Sequence, residues 1–172
     1  MSTVECTTVE SPVGPLVLAA RDDRLVGLRL PHVGDDGRTT AAPLDGWQPG
    51  QATTGVLAAA TEQLAGYFTG ELTAFDLPLQ LEGTSFQQRV WAALQEIPYG
   101  TTSSYGELAQ RLGSPGASRA VGLANGRNPI AVIVPCHRVI GADGTLTGFG
   151  GGLPCKRWLL DHEIGHDQLF PL

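Results

Sequence analysis

Residues 128–139 read Asn-Pro-Ile-Ala-Val-Ile-Val-Pro-Cys-His-Arg-Val. Five consecutive apolar residues, Ile130 to Val134, bounded by prolines, predict a short strand buried on both faces. Cys136 would then stand at the end of that strand, beside His137 and Arg138. Positive neighbours favour the thiolate, and the thiolate is the nucleophile. The plainer reading is a small buried hydrophobe, the usual fate of a free cysteine, but it leaves His137 and Arg138 without a purpose. Adjacent side chains on an extended backbone leave opposite faces. His137 can therefore take the Cys136 proton only through a water, or if the chain turns just after Pro135. A histidine base also needs an orienting carboxylate. Glu163 is the choice, with Asp161 an open competitor.

Helices flank this strand on both sides. Thr84 and Gln87 form a capping box for a helix whose buried side is Phe86, Val90, Trp91 and Leu94. Ser104 and Glu107 form a second box for a short helix that Gly113 stops after Leu112. Ser114-Pro115 predicts the start of a third helix, cap then proline, with Ala117, Val121 and Ala124 inward. Two short helices across a Gly-Ser-Pro turn, the second small-faced with Ala120, Gly122, Ala124 and Gly126, outline a helix-turn-helix. A helical hairpin packed through small residues is the alternative. Downstream, Pro154 opens a helix over 153–163 that brings Glu163 back towards Cys136. The Thr147–Gly152 loop holds one aromatic, Phe149, a wall suited to a planar ligand, and lacks the phosphate-loop pattern.

The front half differs. Residues 13–30 predict a hairpin turning at Asp22-Asp23, 31–51 a long loop or irregular crossover, and 53–69 a helix with Val56, Leu57, Ala60, Leu64, Tyr67 and Phe68 on one stripe. Phe75, Leu77, Leu79 and Leu81 alternate, but Pro78 reduces that stretch to an edge strand or connector. Cys6 and His32 are too few for a metal site.

Composition sets the outer limits. With 172 residues and 42% hydrophobic content, the chain can bury a core without disulfides or a structural metal. No apolar run suits a membrane span, the acidic start is no signal peptide, and an odd count of three cysteines suits a reducing cytoplasm. Net charge is -6, unevenly spread. Residues 1–83 hold four arginines against eleven acids, whereas residues 111–157 hold six basic residues against Asp143 alone. A basic back half is compatible with a face for a polyanion.

Four blocks, SFQQRVWAALQEIPYG (85–100), TSSYGELAQRLG (102–113), SRAVGLANGRNPIAVIVPCHRVIG (118–141) and LTGFGGGLPCKRWLLDHE (146–163), together resemble the methylated-DNA–protein-cysteine methyltransferases that repair O-6-alkylguanine, in their bacterial Ogt-like form. The resemblance is continuous from Thr84 to Glu163 and looser in the front half, through SPVGPLVLAA. It implies an α/β N-terminal domain over 1–82, a ribonuclease-H-like small sheet with a helix. Residues 83–168 would be a mostly helical C-terminal domain with a helix-turn-helix, winged-helix-like, carrying DNA binding and the alkyl acceptor. Cys136 becomes the acceptor, His137 acts through a water, and Glu163 orients it. Tyr105 donates to the guanine ring, and Asn128 holds the turn supporting the active-site strand. Arg119 replaces the extruded nucleotide. Ala117, Ala120, Gly122, Ser104 and Arg127 complete a surface on the minor-groove side of double-stranded DNA. Ala131, Val139, Phe149, Gly150 and Gly151 line the pocket with Tyr105. Phe149 stands where tyrosine is often found, Gly150 where serine can assist the guanine oxygen, and Ala131 where proline can occur; these departures keep the acceptor intact and leave alkyl-size preference open.

The resemblance also implies a single-use reaction on O-6-methylguanine, and on O-4-methylthymine, in DNA. The thioether product cannot be hydrolysed by any side chain present, and the damaged base is itself the donor, so no cofactor and no metal are implied. A cytoplasmic monomer without membrane attachment is expected. Two rivals remain: a non-catalytic binder of alkylated DNA on the same scaffold, which would lack the acceptor cysteine, and an unrelated cysteine hydrolase, which leaves Tyr105 and Arg119 without roles.

Overall fold

The computed structural model describes residues 3–50 and 55–165, and the chain divides into two compact units, residues 1–81 and 82–172. The last three positions of the expected second domain, 166–168, and the first two of the expected 53–69 helix lie outside the described residues.

The first unit is built on a hairpin. Strands β1 (Glu5–Val9), β2 (Leu16–Arg21) and β3 (Arg24–Arg29) precede three two-residue strands, β4 (His32–Val33), β5 (Thr39–Thr40) and β6 (Gln48–Pro49), and helix α1 (Gly55–Thr69). The sheet order is β3-β2-β1-β6, antiparallel except for the β1–β6 pair. Asp22 and Asp23 both take positive φ, 50° and 58°, the left-handed pair whose twist suits a two-residue hairpin loop. The Asp23 carboxylate also accepts the Val56 N–H at 2.8 Å, so the hairpin tip caps α1. All but the last residue of β2 are buried, which requires cover on both faces. Helix α1 supplies one cover, and Val4, Val26, Leu44 and Trp47 gather around Cys6, Val17 and Ala19. Strand β1 went unread in the sequence, and the expected 31–51 loop holds β4 to β6. Leu79 forms a single parallel bridge with Leu25, between the Leu25 N–H to Pro78 oxygen and Gln80 N–H to Leu25 oxygen bonds. Pro78, without an N–H, cannot extend it.

The second unit is mostly helical: α2 (Ser85–Gln95), strand β7 (Ser103–Ser104), α3 (Tyr105–Arg111), α4 (Ser118–Gly126), a single 3₁₀ turn over Cys136–Arg138, strand β8 (Val139–Ile140) and α5 (Leu153–Ile164). The Thr84–Gln87 capping box forms in full. Phe86, expected on the buried side of α2, is only half-buried. The second box is half made. Ser104 Oγ accepts the Glu107 N–H at 3.1 Å, but the Glu107 carboxylate turns to the Ser103 hydroxyl instead. Helix α4 starts at Ser118 rather than Ser114. Ser114 and Pro115 form a turn closed by the Ala117 N–H to Ser114 oxygen bond, and Ala117 becomes an N-cap without a side-chain bond. The Trp91 indole N–H donates to the Ala124 oxygen at 2.8 Å, pinning α2 to α4.

Residues 130–134 are not a strand. They are buried as expected, but they fold as a tight turn with Val132 at φ 70° and a Val134 N–H to Ile130 oxygen bond of 2.9 Å. Asn128 brackets it: its Oδ1 accepts the Ile130 N–H at 3.0 Å, and its Nδ2 donates to the Val134 oxygen at 2.7 Å. A side chain that satisfies both ends of a segment offers the backbone an alternative to a ladder.

A candidate active site

The bracketed turn delivers Cys136 into the 3₁₀ turn, so the chain bends just after Pro135 and continues through His137 and Arg138. Beyond it, β8 pairs in parallel with β7, joining Val139 and Ile140 to Ser103 and Ser104 at the entry to α3. The turn that carries Cys136 is thereby tied to the helix that begins with Tyr105. A further tie comes from α4: Asn125 Nδ2 donates to the Cys136 oxygen at 3.3 Å.

Helix α5 supplies the carboxylate. Its buried residues are Lys156, Leu159, Leu160 and Glu163, the i, i+3, i+4, i+7 spacing of one helical face. Glu163 Oε2 lies 2.6 Å from His137 Nε2, while Arg138 donates to Oε1 from Nε at 2.7 Å and to Oε2 from Nη2 at 3.2 Å. Asp161 instead pairs with Arg157 at 3.6 Å. Burial works against a charge on Glu163, but the hydrogen bond from His137 and the Arg138 guanidinium hold its carboxyl well below the usual carboxylate range. Burial likewise keeps His137 neutral, its pKa lowered despite Glu163. With a carboxylate facing Nε2, that nitrogen carries the proton, and Nδ1 is the basic lone pair. Nδ1 is buried without a partner among the described residues.

Cys136 itself departs from expectation. It is 6% exposed, and burial pushes its thiol pKa up, although Asn128 and Lys156 favour the thiolate. The anticipated cations do not act: His137 is neutral, and Arg138 is spent on Glu163 and on the Ile97 oxygen at 2.6 Å. Cys155, half-buried, is pushed up to about 11 by burial and by Cys136, and burial also raises Cys6.

Tyr105 enters through a chain of contacts. Its Oη accepts the Thr147 hydroxyl at 2.9 Å. The Thr147 backbone carbonyl oxygen accepts from Lys156 Nζ at 3.0 Å, and the same Nζ donates to the Val139 carbonyl oxygen at 2.6 Å. Burial lowers the Lys156 pKa to about 8. A Cβ on Gly122 would sit 3.7 Å from the Tyr105 ring, so α4 passes close over that ring.

Ala131, within the turn, and Val139, just after the 3₁₀ turn, are buried, and Gly151 is buried too. Phe149 is half-buried and Gly150 exposed. Of the basic residues in 111–157, Arg138 and Lys156 are buried, Arg111 pairs with Glu96 at 2.6 Å, and Arg157 with Asp161. The basic surface is therefore smaller than the charge count suggested. Arg119 and Ala120 on α4, and Arg127 just past it, are exposed, while Ser104, Ala117 and Gly122 are half-buried. Sequence reading missed Arg138 as a clamp, and gave Lys156, Thr147 and Asn125 no role in the site. The spacing of Lys156 to Leu159, Leu160 and Glu163 could have placed Lys156 on the inner face. Among the described residues no three His, Cys, Asp or Glu side chains gather as a metal site, and no helix is long and apolar enough to cross a membrane.

Two family models match the chain: the ribonuclease-like domain of 6-O-methylguanine DNA methyltransferase over residues 4–81, and the DNA binding domain of the same family over residues 85–165. A methylated-DNA–protein-cysteine methyltransferase of Mycolicibacterium paratuberculosis is 55% identical, covering 95% of this chain and 94% of its own. The crystal structure of Mycobacterium tuberculosis OGT in complex with DNA superposes with a TM-score of 0.82 at 52% identity, covering 92% of each chain. An O6-methylguanine DNA methyltransferase from Methanococcus jannaschii is more distant, with a TM-score of 0.63 at 25% identity over 92% of this chain and 93% of that one.

Proposed function

The chain belongs to the 6-O-methylguanine DNA methyltransferase family, and from that membership and the geometry around Cys136 we propose that this cysteine is its alkyl acceptor. The protein is a methylated-DNA–protein-cysteine methyltransferase: it binds DNA and repairs it by direct reversal, moving an alkyl group from the damaged base to its own cysteine. The observation that carries the assignment to Cys136 is the 2.6 Å pairing of Glu163, on α5, with His137, the residue that follows Cys136 in one 3₁₀ turn.

In the proposed reaction the Cys136 proton leaves by way of a water to His137 Nδ1, whose other nitrogen is fixed by Glu163. Sγ attacks the alkyl carbon of O-6-alkylguanine in line with the carbon–oxygen bond. That bond breaks with its electron pair passing into the guanine ring, and the Tyr105 hydroxyl protonates the ring nitrogen. General acid assistance of this kind contributes about 10²–10⁴ in rate. The target base must be extruded to reach a buried sulfur. Arg119, on the exposed face of α4, fills the place it leaves, with the small exposed Ala120 beside it allowing close approach on the minor-groove side. The thioether is permanent, so one monomer repairs one lesion; O-4-methylthymine fits the same chemistry.

Incubation with O-6-methylguanine duplex followed by peptide mass spectrometry tests this. One methyl on Cys136 and none on Cys6 or Cys155 is expected. Cys136→Ser abolishes transfer while retaining duplex binding. Methyl on another cysteine, or turnover beyond one per molecule, overturns the assignment.

A further inference from the structure

We propose that Thr147 is a positioning residue for the proton transfer, setting the donor direction of Tyr105. The inference rests on the proposed reaction, in which Cys136 accepts the alkyl group and Tyr105 protonates the base. It adds a residue that the sequence did not single out for a role.

Three contacts carry it. The Thr147 hydroxyl donates to Tyr105 Oη at 2.9 Å, occupying an acceptor site of the phenol and leaving its own hydrogen free to point elsewhere. Thr147 is itself held from behind, because its backbone carbonyl oxygen accepts from Lys156 Nζ at 3.0 Å. That ammonium, fully buried, is fixed in turn on the Val139 oxygen at 2.6 Å, one residue past the turn that carries Cys136. The lysine thus ties the segment bearing Thr147 to the segment bearing the nucleophile.

The chemistry gives the hydroxyl two effects. Before transfer it fixes the direction of the phenol hydrogen. As the proton passes from Tyr105 to the guanine ring nitrogen, negative charge grows on Oη, and the Thr147 hydrogen bond strengthens towards that charge. The proton released by the Cys136 thiol returns to the phenolate through solvent. Overall, thiol and alkylguanine become thioether and guanine.

Single-turnover transfer from O-6-methylguanine duplex, with duplex affinity measured separately, tests the proposal. Thr147→Val is expected to slow transfer about tenfold to a hundredfold, the range for a hydrogen bond to a charged group, with affinity unchanged. Thr147→Ser, which keeps the hydroxyl, restores most of the rate. In a Tyr105→Phe background Thr147→Val has no further effect. A Thr147→Val protein that transfers at the parent rate overturns the proposal. So does an equal slowing with and without the Tyr105 hydroxyl, which would mark a general packing role. If the unaltered protein places no methyl on Cys136, the underlying functional reading fails instead.

Discussion

Glu163 shows how much one side chain settles here. It orients His137 and neutralises the buried guanidinium of Arg138. Removing one partner of a buried ion pair leaves the other uncompensated, at a cost of about 3–5 kcal/mol. Glu163→Gln is therefore expected to lower the urea midpoint markedly and to slow methyl transfer, both measured on the same preparation. Cys136 makes a second prediction at this scale. Because burial raises its thiol pKa, the thiolate fraction grows with alkalinity. The transfer rate measured in rapid-mixing experiments should rise from pH 6 through pH 9 rather than level off below neutrality.

Elements were legible where the rule was local. The α2 capping box needs only Thr84 and Gln87 at fixed spacing, and it formed in full. The Asp22-Asp23 turn was legible in the same way, but its second role was not: Asp23 reaches a helix 33 residues away in sequence. The two aspartates should therefore respond oppositely to glycine. Asp22→Gly relieves a positive φ and should raise stability by several tenths of a kcal/mol. Asp23→Gly also loses the α1 cap, which is worth about 1 kcal/mol, and should lower it; urea denaturation of the pair checks the sign. The run 130–134 failed for a physical reason. Five buried apolar residues look alike in a strand and in a packed turn, and the deciding feature, the two hydrogen bonds that the Asn128 amide makes across the turn, is a side-chain geometry. On α4, Arg119→Ala should weaken duplex binding, and more for duplex carrying the lesion than for undamaged duplex, because the place of the extruded base is then unfilled; parallel titrations of the two duplexes check it.

For the whole molecule, charge was the least legible property. A sequence count treats Arg138 and Lys156 as surface cations, whereas both are interior groups, so long-range attraction to DNA is weaker than the count implies. The same buried groups govern acid stability. His137 is held neutral when folded, and the unfolded chain protonates it below about pH 6.5. Protons thus favour the unfolded state as pH falls through that value. Glu163, with its folded pKa depressed, extends the loss below about pH 4.3. Urea midpoints should decline steadily between pH 7 and pH 3. In Glu163→Gln the part of that decline below about pH 4.3 should be flatter.

The burial of the Cys136 sulfur has a consequence after the chemistry is over. An adduct on that atom must be lodged inside a close-packed interior, where added carbon typically costs about 1–3 kcal/mol. The methylated protein should unfold at lower urea than the fresh one. A spent molecule would then differ from an unused one in firmness as well as in composition, and a cell that clears loosened proteins could sort the two with no dedicated reader of the scar.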